Sequence, residues 1–211
     1  MGFGNFWEAH AVPRLIKFAC GSPQIMKLRS QVVPLARGDV FEIGCGGGIN
    51  QQFYDASAVT SYAGIDPGGK LLEYARAEAE KKGWLADIRD GVGEDIPFDD
   101  ASFDTVVCTY TMCSVADQAQ VVREMRRILR PGGKLLFLEH GRAPDPGVAK
   151  WQDRIEPFWK PIGGGCHLTR PITEAVRGGG FDTEPMGEGY APKTPRPLGW
   201  MEWGVGVKAG A

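Results

Sequence analysis

From Asp39 to about Glu139 short apolar runs alternate with stretches of helical periodicity. The runs are Asp39–Ile43, Tyr62–Asp66, a weaker Leu85–Arg89, Phe103–Tyr110 and the "KLLFLEH" that ends at His140. Between them, Leu71, Leu72, Ala75 and Ala79 fall on one helical face, and Val121, Val122, Met125, Ile128 and Leu129 fall on another. A short helix is expected after Gln51, and "RPGG" at Arg130–Gly133 reads as a turn. Strand and helix alternating in this way predict βαβ units, an α/β fold with a parallel sheet and helices on both faces. The basic run "REMRRILR" reads as the solvated face of its helix.

The pattern changes on either side of this core. Apolar helical stretches around Ala11–Cys20 and Ile25–Val33 suggest an N-terminal helical cap over residues 1–37, packed across the open end of the sheet. Residues 141–170 are rich in proline, glycine and large aromatics, and are too long for a plain connection. They read as a lid or a partly ordered insert. A helix near Ile172–Arg177 and two β-like runs, Phe181–Glu188 and Gly199–Lys208, predict a terminal antiparallel hairpin at one sheet edge. Seven strands in one domain fit 211 residues.

The net charge of −2 gives no reason to expect nucleic acid or an anionic membrane as partner. Five cysteines, none in a Cys-x-x-Cys pair, suggest neither a disulfide framework nor a metal site. A reducing, cytoplasmic setting is the expectation. No signal peptide or membrane-spanning run is read from the chain.

The first strand breaks into four glycines within five residues, "GCGGG" at Gly44–Gly48. In an open parallel sheet, ligands bind beyond the carboxyl ends of the strands, where a glycine turn lets the backbone come close. The dinucleotide spacing Gly-x-Gly-x-x-Gly fails, because its third glycine would fall on Ile49 or Gln51. No Gly-x-x-x-x-Gly-Lys phosphate loop is present either. Asp66 ends the second strand 22 positions after Gly44. Its carboxylate suits the two hydroxyls of a ribose, and equally suits a helix N-cap in "IDPGGK".

Taken together, "FEIGCGGG", "GIDP", "GEDIPFDDASFD", "FDTVVCTYT" and "ILRPGGKLLFLEH" resemble the class I S-adenosylmethionine (SAM)-dependent methyltransferases over about residues 38–140. The resemblance implies a Rossmann-like fold and SAM as cofactor, with S-adenosylhomocysteine as product. It places Glu42, Gly44, Gly46 and Gly48 at the methionine and ribose end, with Cys45 inside the turn and Thr109 at the end of the fourth strand in the same set. It puts Asp66 on the ribose and Pro67, Gly93 and Glu94 around the adenine. Many relatives have an Asp just before the position of Gly93. Here that residue is Val92, so Glu94 or a backbone carbonyl is expected to take its contact.

"CTYTMCSV", "FLEHG" and "EPFWKPIGGGCHLTR" further resemble small methyltransferase-like proteins that methylate alkyl thiols and hydrogen sulfide. The animal members of that group begin with a hydrophobic anchor that is not seen here, which leaves peripheral membrane contact open. This resemblance implies a small thiol acceptor, and His140 is the candidate base. Cys113, Trp159, Cys166 and His167 join His140 as candidate pocket residues. Trp151 and Phe158 either wall the pocket or pack the lid, and Arg170 is expected to pair with an acidic group such as Glu139 or Glu42. N-methylation of a lipid amine, methylation of a quinone-like ring and SAM binding without catalysis remain open alternatives. Nucleic-acid methylation is disfavoured, because "CTYTMC" replaces the Asn/Asp-Pro-Pro-Tyr-type tetrapeptide after the fourth strand.

Overall fold

A computed structural model describes residues 22–210. Seven strands form one sheet in the order β3-β2-β1-β4-β5-β7-β6. They are β1 Gly38–Ile43, β2 Val59–Asp66, β3 Ala86–Asp90, β4 Phe103–Thr109, β5 Leu129–His140, β6 Phe181–Tyr190 and β7 Trp200–Lys208. The first five are mutually parallel, and β7 runs antiparallel to both β5 and β6. The expected edge hairpin is therefore present, with its second strand on the inside.

The alternation along each strand sorts side chains onto two faces. Phe41, Ile43, Val106, Cys108, Leu135 and Phe137 fall on one face, beneath helix α3 (Gln118–Ile128) and helix α5 (Ile172–Gly178). Val40, Val107, Leu136 and Leu138 fall on the other, with helix α1 (Pro23–Val32) and helix α2 (Gly69–Lys81). Both faces are covered, which is why the central strands read as nearly continuous apolar runs rather than alternating ones.

Several local expectations are corrected. The segment after Gln51 forms only a 3₁₀ turn, Gln51–Phe53. β5 begins at Leu129, and the Arg130–Gly133 turn interrupts its ladder, since Phe103 pairs with Leu129 but Thr105 with Lys134. The basic face of α3 is more than solvated. Arg127 donates to the carbonyls of Ile96 and Phe98 and to Glu124 and Asp100, which ties the 96–100 loop to the helix. The Ala11–Cys20 stretch lies outside the described residues. Helix α1 packs against a sheet face through Val32, rather than across the sheet end, and reaches the carboxyl edge through Arg29.

Residues 141–170, expected as a lid or a partly ordered insert, have a defined structure. They contain helix α4, Pro146–Ile162, of 17 residues, despite Pro157 and Pro161 inside it. Pro146 stands in the first turn, where its missing N–H costs nothing. The two internal prolines lie on the exposed side, where water can meet the carbonyls they leave without a partner. Gln152, fully buried, docks the helix: its Oε1 accepts from Ala143 N–H (2.9 Å) and its amide donates to the Gly141 (3.1 Å) and Pro197 (3.2 Å) carbonyls. Helix α6, Arg196–Gly199, completes that contact.

Phe137 sits at 0% exposure in the middle of the sheet. Phe137→Ala should cost about 3–5 kcal/mol, read as a lower urea midpoint with an unchanged slope.

Candidate active site

The carboxyl ends of β1, β2, β4 and β5 meet at one edge, and the glycine turn crosses it. Gly44, Gly46 and Gly48 have φ of +67°, +49° and +79°, a region L side chains rarely adopt. The three do different things. A Cβ on Gly44 would lie 2.1 Å from Thr111 Oγ1, and one on Gly48 would lie 3.1 Å from Ala75 Cα, so these two glycines admit neighbouring chain. A Cβ on Gly46 would meet nothing closer than Asp66 Oδ2 at 3.9 Å. Gly46 thus faces open space that a ligand can enter.

Asp66 holds this turn. Its Oδ2 accepts from Gly46 N–H at 3.0 Å and its Oδ1 from Gly68 N–H at 2.8 Å. It is not the N-cap of α2; that position is Gly68. Burial pushes the carboxyl up, while the two amides pull it down. Pro67 is exposed beside it. Cys45 turns inward: its N–H bonds the Ile65 carbonyl at 3.0 Å, and its sulfur packs where a Gly64 side chain would be. Burial raises that thiol, so Cys45 contributes shape and backbone rather than reactivity.

Glu42, 1% exposed, shapes the turn from within the sheet. Its carboxylate accepts from Asn50 Nδ2 (2.9 Å) and from the hydroxyls of Tyr54 and Tyr62 (both 2.8 Å). Asn50 also donates to Thr109 Oγ1 at 2.9 Å. Arg29 completes the group, with Nη1 2.5 Å from Asn50 Oδ1 and 2.6 Å from Thr109 Oγ1, and its guanidinium 4.9 Å from the centre of the Tyr110 ring. Among the described residues its Nε–H is buried without a hydrogen-bond partner. Arg29 and Asn50 were not expected from sequence. The only signal for Arg29 is a basic residue inside the apolar stretch Ile25–Val33, which its burial at 3% exposure explains.

Gly93 owes its identity to packing: a Cβ there would come within 2.5 Å of Ile43 Cδ1. Glu94 Oε1 accepts from the amides of Ala116 (2.8 Å) and Asp117 (3.1 Å), just ahead of α3. These bonds draw the 91–95 loop against the start of α3.

After β4 the chain reverses at Tyr110, whose φ of +56° is left-handed. The reversal points three successive N–H groups at one buried carboxylate. Glu139 Oε1 accepts from Thr111 (2.8 Å) and Met112 (3.0 Å), and its Oε2 from Cys113 (3.1 Å). Arg170 does not pair with a carboxylate as expected. It donates to the carbonyls of Met112 (2.6 Å) and Val115 (2.7 Å) of the same loop.

That loop places Cys113 against the segment after α4. His167 N–H donates to the Cys113 carbonyl at 2.7 Å. The His167 ring turns away, with Nδ1 3.0 Å from Glu156 Oε1, and it ties the segment to α4. Cys166 points to His140, its sulfur 3.4 Å from Nδ1. Among the described residues, His140 Nε2 and Trp159 Nε1 are buried with no hydrogen-bond partner. Cys113, His140, Trp159 and Cys166 therefore converge, whereas Trp151 (55% exposed) and Phe158 (76%) lie on the outside of α4. The Cys113 thiol, followed by the hydrogen bond with the His140 imidazole, holds the Cys166 thiol down at about 5, against the effect of burial. The Cys166 sulfur and burial push Cys113 well up. A cleft of about 530 Å³ lined by Arg123, Arg126, Arg127 and Lys208 lies at the amino end of the sheet, remote from these groups.

A thiol held near 5 is a thiolate above that pH. At pH 6.5 Cys166 should react with iodoacetamide nearly as fast as at pH 8, whereas a thiol with pKa ~8.5 would be about 1% ionised. Peptide mapping after short labelling at each pH checks this, and Cys166→Ser should remove the fast phase.

Residues 41–137 match the methyltransferase domain family model. The chain is 37% identical over 169 residues to thiol S-methyltransferase TMT1B from Homo sapiens, covering 78% of this chain and 66% of that protein. The match thus spans just under two thirds of the relative's length. Among solved structures, the [4+2]-cyclase SpnF superposes with TM-score 0.71 at 15% identity, covering 99% of this chain and 95% of that one. A SAM-dependent methyltransferase from Thermotoga maritima, described as a possible histamine N-methyltransferase, superposes at 0.67 and 19% identity, covering 98% and 100%. Likeness at this identity speaks for the fold alone, and one of these folds carries a cyclase. The sheet order and the glycine turn at the carboxyl edge agree with these neighbours: the chain has the class I methyltransferase fold, and residues 41–137 within it match the methyltransferase domain model.

Proposed function

We propose that the protein transfers the methyl group of SAM to a small apolar thiol. One observation carries the reading. The open cradle at Gly46 and Asp66, and a buried imidazole whose Nε2 has no hydrogen-bond partner among the described residues, lie at the carboxyl ends of strands of the same sheet. Similarity to the thiol S-methyltransferase supports the acceptor class. The residues present fit the cofactor. Asp66 keeps lone pairs free for ribose hydroxyls, exposed Pro67 offers a flat face to the adenine, and the unpartnered Arg29 Nε–H supplies a buried cation for the carboxylate of the methionine part. Glu42, Gly44, Cys45, Gly48, Gly93, Glu94 and Thr109 keep these groups in place.

When bound, SAM supplies a methyl carbon already activated by its sulfonium charge. The chain must hold the acceptor in line and remove its proton. An alkyl thiol with pKa ~8.5 is mostly protonated at neutral pH. A thiolate at Cys166 selects the imidazole tautomer with its hydrogen on Nδ1, which leaves the Nε2 lone pair of His140 free to take that proton. Trp159 and Cys113 wall the acceptor space, and α4 covers it and excludes water. The exposed Trp151, Phe158 and Ile162 on α4 support contact with an apolar phase from which such acceptors partition.

Release of S-adenosylhomocysteine from purified protein and SAM should depend on an added alkyl thiol. Cofactor binding without thiol-dependent release would overturn the acceptor class. Asp66→Ala should weaken SAM binding about 100-fold by calorimetry, the scale of two lost charge-assisted hydrogen bonds. His140→Ala should lower kcat/KM by about 100-fold at neutral pH and less at high pH, where the acceptor ionises unaided. An equal loss at every pH would reduce His140 to a lining residue.

A further inference from the structure

Methyl transfer to an external thiol needs a base and a shaped wall, but no thiol from the protein. This site nevertheless brings two together. Cys113 stands on the loop that Glu139 and Arg170 hold from both its N–H and its C=O side. Cys166 follows Gly163–Gly165, where Gly164 and Gly165 have φ of +63° and +85°. A Cβ on Gly165 would lie 3.1 Å from the Ser114 carbonyl, so the two main chains touch at this point. The bond from His167 N–H to the Cys113 carbonyl, at 2.7 Å, joins them one residue from Cys166. The Cys113 and Cys166 side chains therefore project from main-chain segments in direct contact.

The two thiols are unequal. Cys166 is half-buried and touches His140, while Cys113 is 2% exposed and stays a thiol. One reactive sulfur with a second beside it is the arrangement of an oxidant-sensing pair. The other described cysteines lack it: burial first, and then the carboxylates of Glu42 and Asp66 beside Cys45 and of Glu139 bonded by Cys108, push both thiols up.

We propose that Cys166 and Cys113 are an oxidisable pair, which a peroxide closes to a disulfide that pins the Gly163–His167 segment to the loop after β4. The Cys166 thiolate attacks one peroxide oxygen. The O–O bond breaks, a sulfenic acid forms, and the leaving oxygen departs as water after taking a proton. The Cys113 sulfur then attacks the Cys166 sulfur. The S–O bond breaks, and the Cys113 proton leaves with the hydroxyl as a second water. Two thiols are oxidised and one peroxide is reduced to two waters. In the disulfide, Cys166 no longer offers His140 a charged acceptor and the acceptor wall is fixed. The resulting loss of turnover rests on the methyltransferase reading; the disulfide itself does not.

The experiment treats the purified chain with hydrogen peroxide, blocks remaining thiols and maps peptides without reduction. Linked Cys113 and Cys166 peptides, separated by a phosphine, are expected. Cys113→Ser should leave a Cys166 sulfenic acid that dimedone traps, and Cys166→Ser should leave Cys113 reduced. Both cysteines still alkylatable after peroxide, or Cys166 over-oxidised beside a free Cys113 in the unsubstituted protein, would overturn the pair. Oxidised protein should start thiol-dependent release of S-adenosylhomocysteine at least tenfold more slowly, with a lag that phosphine pretreatment abolishes. A disulfide with an unchanged initial rate would overturn the switch. A disulfide in a protein that never releases the product, reduced or oxidised, would sink the methyltransferase reading and uphold the pair.

Discussion

The bond set of Glu139 is the constraint on which the acceptor side depends. A carboxylate at 0% exposure is expensive unless its oxygens are satisfied. Here three consecutive backbone amides and the Cys108 thiol satisfy it, and that requires the chain to reverse at Tyr110 with positive φ. The reversal fixes the loop that carries Cys113. Arg170 then takes the carbonyls of the same loop, which brings the segment after α4 over the ends of β4 and β5. One buried charge thus orders two chain segments far apart in sequence. Removing it would leave three amide donors unpaired, at about 1–3 kcal/mol each.

The cofactor side follows the same logic with a different carboxylate. Glu42 is satisfied by two tyrosine hydroxyls and Asn50, and Asn50 passes the constraint to Thr109 and Arg29. Asp66, nearer the surface, spends one oxygen on each of two glycine amides and keeps the rest of its capacity for a ligand. The gradient from fully satisfied to partly satisfied carboxylate runs from the core of the sheet to its edge. It separates the groups that build the turn from those that meet what binds there.

Strand content, the parallel core, the glycine turn and Asp66 were legible in the chain, because each rests on short-range rules: apolar periodicity, the conformational freedom of glycine and the position of a residue at a strand end. Helix α4 was not, because its prolines are read locally as breakers and only the docking through Gln152 and the exposed placement of Pro157 and Pro161 make it affordable. Arg170 was expected on a carboxylate, yet it lies on carbonyls. Charge pairing is a guess about neighbours, and neighbours are set by how loops close.

The sequence by itself determined that this chain builds an α/β sheet with a glycine turn and an acidic strand end at its carboxyl edge, since periodicity and spacing are properties of the chain. Only the tertiary structure decided that Arg29 reaches Thr109 across 80 positions, that His167 serves Glu156 rather than the pocket, and that Cys166 meets His140 beside the loop that carries Cys113. These contacts join residues far apart along the chain or across separate elements. They exist because buried polar groups must find partners, and the partners available are set by packing, not by order.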